Sequence, residues 1–148
     1  MDQALSASNS GMSINTINSM TNSVPESFSK RKAIAERILD RYRDRIPILL
    51  RKADKSALST LVHRKYIVPR DISIGKFLRE LRMSLKLQEH QSLFLLIEQH
   101  EGKSFSLGLW NKSILPLSTE MIGSLYNKYR SDDYFLHLVY TEENTFGV

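Results

Sequence analysis

Apolar positions change their spacing several times along this chain, and each change marks a structural element. Phe28, Ala35, Ile38, Leu39 and Tyr42 recur at helical intervals with Lys and Arg between them, which predicts a helix over about 26–43. Ile34 and Ile38 form a second apolar pair one turn apart, so the stripe is wider than a single core seam. Pro47 bars further helix, and Ile46–Leu50 predicts a strand with the proline at its start. Lys65–Val68 predicts a second strand, ended by Pro69. Asp71 or Ser73 can cap the next helix, where Ile74, Phe77, Leu78, Leu81 and Leu85 share one side. Leu93–Ile97 is continuously apolar, as suits a strand buried on both faces. Ser118 or Thr119 can cap a last helix with Met121, Ile122, Leu125, Tyr126 and Tyr129 inward. Phe135–Tyr140 then alternates as a closing strand.

Three segments lack either rhythm. Residues 1–24 carry a single charge, Asp2, and are rich in Ser, Asn, Thr and Met; they predict a disordered arm. Residues 98–113 are polar and glycine-bearing, with Phe105, Leu107, Leu109 and Trp110 among them, and form a long insertion or an extra hairpin. Residues 141–148 make a flexible C-terminal tail. The domain therefore runs over 25–148 in the order helix, strand, strand, helix, strand, helix, strand. That order predicts an α+β fold: a four-stranded mixed sheet with helices packed on it and an additional N-terminal helix.

The 148 residues suit one domain. No apolar run approaches the roughly 20 residues that span a bilayer, and the first residues have no basic and apolar regions of a secretory signal. With no cysteine there is no disulfide and no thiol nucleophile. The net charge of +5 is uneven. Residues 28–55 hold ten Lys/Arg against four acids, whereas 131–148 hold four acids and no Lys or Arg. One face should attract acidic partners, and nucleic acid, anionic membrane and acidic peptide all qualify.

Catalytic patterns are missing. The sequence has no dinucleotide fingerprint, phosphate-binding loop, serine elbow or zinc-protease motif. His63, His90, His100 and His137 lack metal-ligand spacing. Asp132–Asp133 and Glu142–Glu143 are adjacent carboxylates, expected to be solvated surface because neighbours on extended backbone point apart. The reading is a non-enzyme with no cofactor and no metal.

Four segments taken together resemble the autophagy ubiquitin-like modifiers of the GABARAP and light-chain-three group. They are Phe28-Ser29-Lys30-Arg31, Tyr42–Ile48, Lys65–Phe77, and Asp133–Leu136 with Glu142–Gly147. The resemblance runs from about Pro25 to Val148 and is gapless from Phe28 to Ile97. It implies a ubiquitin-like β-grasp with extra N-terminal helices, of which one is clear in the sequence.

It also implies two tasks. At the strand 65–68, family members take up an extended aromatic-x-x-aliphatic peptide as an added strand. Alternation then assigns Ile34, Ile38, Pro47, Lys65, Ile67 and Phe135 to the aromatic pocket. Tyr66, Val68, Pro69, Ile72, Phe77 and Leu81 fall to the aliphatic pocket. Arg45, His63 and Lys65 would steer acids that flank the peptide's anchors.

The second task belongs to Phe146-Gly147-Val148. The resemblance implies cleavage between Gly147 and Val148 by a cysteine protease. Activating and conjugating enzymes would then pass the glycine carboxylate to phosphatidylethanolamine. Glycine, without a Cβ, threads narrow clefts and leaves its carbonyl open to attack. The implied partners are those enzymes, the membrane, and cargo receptors and adaptors bearing short motifs. The implied locations are the cytoplasm and, after lipidation, the autophagosome. Two alternatives stay open: the sibling modifier joined to a protein lysine, and a basic module binding nucleic acid or cytoskeleton, with nucleic acid ranking low. The chain departs from the family at Glu80, at Met83-Ser84, in the arm and in the insertion.

Overall fold

The computed structural model describes residues 15–16, 26–100 and 111–142. In chain order the elements are β1 (Asn15–Thr16), α1 (Phe28–Arg41), β2 (Arg45–Lys52), β3 (Lys65–Pro69), α2 (Ile74–Ser84), β4 (Phe94–His100), β5 (Asn111–Ile114), α3 (Ile122–Tyr129) and β6 (Leu136–Thr141). One mixed sheet holds the strands in the order β1-β3-β2-β6-β4-β5. β2 pairs antiparallel with β3 and parallel with β6, and β6 pairs antiparallel with β4.

Local chemistry explains most boundaries. The Ser27 side chain accepts from Lys30 N at 3.3 Å and starts α1. Ser73, one of the two expected caps, accepts from Lys76 N at 3.1 Å and starts α2. Pro47 is tolerated in a central strand because the ladder to β6 begins one residue later, at Ile48↔Leu136. The last helix departs from expectation. Its N-cap is Met121, which offers no side-chain bond. Backbone carbonyls of the β3–α2 loop serve instead: Ile122 N donates to Ile72 O and Gly123 N to Arg70 O, both at 2.9 Å. A Cβ on Gly123 would lie 2.9 Å from Arg70 O, so only glycine allows that approach.

The sheet is larger than the four strands expected. β5 is a fifth, and the arm contributes β1 as a sixth. Both ends of the expected insertion are strand, since Glu98–His100 extend β4 and Asn111–Ile114 form β5. The tail also starts later than 141. Thr141 is buried in β6, and the Glu142 carboxylate accepts from Ser56 Oγ and from Ala57 N at 2.7 Å. The rest of the arm before Glu26, the stretch 101–110 with Phe105 and Trp110, and the tail with Phe146, Gly147 and Val148 lie outside the described residues.

Helices cover both sides of the sheet. On one face Ile46, Ile48, Leu50, Tyr66, Val68, Leu136, Leu138 and Tyr140 join Phe77 and Leu81 of α2 and Ile122, Leu125 and Tyr126 of α3 in the main core. Ala35 and Ile38 of α1, with Ile67, Leu96, Phe135 and Val139, are buried outside that cluster. Strand alternation puts these sheet residues on the opposite face.

Candidate functional site: the β3 edge and the face under α1

β3 is the outermost long strand on its side of the sheet. Every one of its residues is buried, and alternation divides them. Tyr66 and Val68 enter the main core beside Ile48 and Ile46. Lys65 and Ile67 turn to the α1 face beside Leu49 and Pro47. Of the residues assigned to the aromatic pocket, Ile38, Pro47, Lys65, Ile67 and Phe135 are buried and Ile34 is half-buried on α1. They occupy the face that α1 packs on, as alternation required.

The aliphatic set stands differently. Val68, Ile72, Phe77 and Leu81 are core members, with Phe77 1% and Val68 0% exposed. Tyr66 joins them, its phenol pushed up to about 12 by burial and by the nearby Tyr140, and it donates to His63 O at 3.1 Å. Pro69 ends β3, also buried. These side chains back the strand from inside the domain. α2 lays its apolar side onto the sheet here, so the residues assigned to the aliphatic pocket form a packed layer behind the strand.

Of the steering cations, Lys65 already faces an acid of this chain. Lys65, assigned both to the aromatic pocket and to charge steering, is 6% exposed. Its Nζ lies 2.8 Å from Glu26 Oε1. That oxygen makes no aligned hydrogen bond, so the contact is one of charge. Arg45 is half-buried at the start of β2, opposite Pro69.

Glu26 is itself held in place. Arg31 Nη1 donates to its carbonyl at 2.6 Å, while Arg31 Nε donates to Asp133 Oδ2 at 2.9 Å. Asp133 also accepts from Phe135 N at 3.0 Å and meets His137 Nε2 at 2.9 Å. Burial would raise the Asp133 pKa, but His137 and Arg31, with Phe135 N–H, outweigh it and hold the carboxyl down at about 2. Asp133 was expected on the surface and is 2% exposed; Asp132 stays exposed. Asp133 is drawn inward by Arg31, His137 and the Phe135 N–H.

The edge itself is engaged. Asn15 pairs with Ile67 and Thr16 with Tyr66, antiparallel. Neither Glu26 nor this short strand was anticipated. The available signal was in the arm, where Ile14-Asn15-Thr16-Ile17 brackets two polar residues with aliphatic ones.

The mixed sheet, with a crossover helix on one face and an N-terminal helix on the other, defines a ubiquitin-like α+β protein. The family model described as "Autophagy protein Atg8 ubiquitin like" matches residues 30–147. Autophagy-related protein 8 of Coccidioides immitis is 36% identical over 120 residues, 81% of this chain and 91% of that one. The Aspergillus niger protein of the same name is 35% identical, over 81% and 90%. The crystal structure of Trypanosoma brucei ATG8 superposes with a TM-score of 0.67 at 26% identity, covering 88% of this chain and all of that one. The chain belongs to the Atg8 family, the ubiquitin-like modifiers of autophagy.

Proposed function

We propose that this chain acts as a modifier rather than as an enzyme. A cysteine protease cuts it after Gly147, and activating and conjugating enzymes join it to phosphatidylethanolamine. On autophagosomal membranes it then recruits cargo receptors and adaptors whose aromatic-x-x-aliphatic segments add to β3 as a further strand. The observation that carries this reading is the β3 edge, which already accepts an extended segment, Asn15–Thr16, through backbone pairing. Pro47, Ile67 and the α1 residues Ile34 and Ile38 supply apolar surface beside it. Two acyl chains hold a protein on a bilayer where one anchors it marginally. The basic residues of α1 add attraction to anionic headgroups.

Gly147→Ala in the full chain tests the reading. Under autophagy-inducing conditions the faster-migrating, membrane-bound form should vanish on electrophoresis, while the purified variant still binds a motif peptide. Undiminished lipidated product would overturn the assignment of the attachment site.

A further inference from the structure

Two separate parts of the N-terminal segment reach the same place. Asn15 and Thr16 take up the backbone edge of β3 at Ile67 and Tyr66. Glu26 places a carboxylate 2.8 Å from Lys65, at the other end of that short strand from Pro69. An extended backbone and an acid are the two things a short acidic motif would bring to this edge. In the sequence the paired dipeptide is bracketed by Ile14 and Ile17, a spacing equal to that of the two anchors in an aromatic-x-x-aliphatic segment.

We propose that the N-terminal segment is an intramolecular ligand of the β3 edge, so that an incoming motif peptide must displace it. This rests on the reading of β3 as the docking strand. Magnitudes suit a competitor rather than a permanent cover. Two paired residues form a marginal strand on their own, but a tethered segment has an effective concentration near the millimolar range. A partner's apparent affinity falls by the fraction of edge left open, so an edge covered about four-fifths of the time weakens binding about fivefold. The arm has no aromatic residue to set against Ile34 and Ile38, which leaves an aromatic-bearing peptide the better occupant.

The two contacts separate cleanly. Glu26 is fixed by Arg31, which is tied in turn to Asp133, so it stays on Lys65 when the arm leaves. The arm then sets how often the edge is open. Glu26 sets whether Lys65 can reward an acid on the partner.

The test uses the full chain, an Asn15→Pro/Thr16→Pro double variant and Glu26→Gln, each probed by amide exchange and by calorimetry with two synthetic motif peptides. One peptide carries acidic residues before its aromatic and the other does not. In the proline variant the Tyr66 and Ile67 amides should exchange at least several-fold faster, and both peptides should bind about fivefold tighter. In Glu26→Gln only the acidic peptide should gain, by about two- to fivefold. Unchanged exchange at Tyr66 and Ile67 overturns the arm contact. Faster exchange with unchanged affinity overturns the competition. If neither peptide binds any form, the docking-strand reading and the competition fail together, and the exchange result still decides whether the arm holds the edge.

Discussion

The two faces of the sheet are built on different terms. Against α2 and α3 the contacts are apolar: Ile46, Ile48, Leu50, Leu136 and Leu138 meet Phe77, Leu81 and Leu125, all almost fully buried. Beneath α1 the apolar layer of Ala35, Ile38, Ile67 and Phe135 is interrupted by charge. Arg31 with Asp133 and His137, Lys65 with Glu26, and Arg51 with Glu98 all belong to this side. The dry face can be read as stability. The charged face fixes orientation, because a buried carboxylate tolerates few placements of its donors. It fastens the start of α1 to the start of β6 and brings Glu26 to the β3 edge.

Three substitutions probe this contrast. Phe77→Ala removes a fully buried ring from the dry face and should cost about 3–5 kcal/mol in urea denaturation. Motif-peptide affinity, measured where the variant is folded, should change less than about twofold. A loss under about 1 kcal/mol with collapsed peptide binding would place Phe77 in the docking site after all.

Asp133→Asn breaks the charged face and should cost on the order of 2 kcal/mol at neutral pH. The sign follows from the carboxyl pKa, held at about 2 in the folded chain against an ordinary 3.8. The unfolded state binds the proton first, so this contribution is complete above the ordinary value. It fades as pH falls from about 4 through 2, and the two proteins should converge in stability below that. Stability curves that run parallel down to pH 2 would show that the carboxylate charge is not what holds α1.

Ile34→Glu is the gentlest of the three. Ile34 is half-buried on α1, and the expected stability change is within about 0.5–1 kcal/mol. Peptide affinity should nevertheless drop severalfold in calorimetry, because the charge would stand beside the aromatic anchor. An unaltered affinity would remove Ile34 from the docking surface.

The dry face was legible in the sequence because its signals are local. The period of Phe77 and Leu81 and the alternation of Leu136, Leu138 and Tyr140 each fix a face within a few residues. The division of β3 was legible for the same reason: the parity of Ile67 and Val68 sends them to opposite sides. Chemistry that depends on distant partners was not legible. Lys65 reads as a charge awaiting a partner's acid until Glu26 is placed beside it, and Asp133 reads as surface until Arg31 arrives from a helix 102 positions away. β5 was legible only as the hairpin alternative, because Asn111-Lys112-Ser113-Ile114 has no apolar alternation and owes its state to pairing with β4. β1 escaped more completely, since it is two polar residues held through their main chain.

The position of β6 has a mechanical consequence. The last strand lies in the interior of the sheet, flanked by β2 in parallel and β4 in antiparallel register. A pull transmitted through the residues that follow Thr141 therefore runs along a strand bonded on both sides. The rows of hydrogen bonds on either flank share that load in shear, instead of opening one after another as they would at a peeled border. A protein tugged by its end on a curving vesicle would keep its shape under such tension.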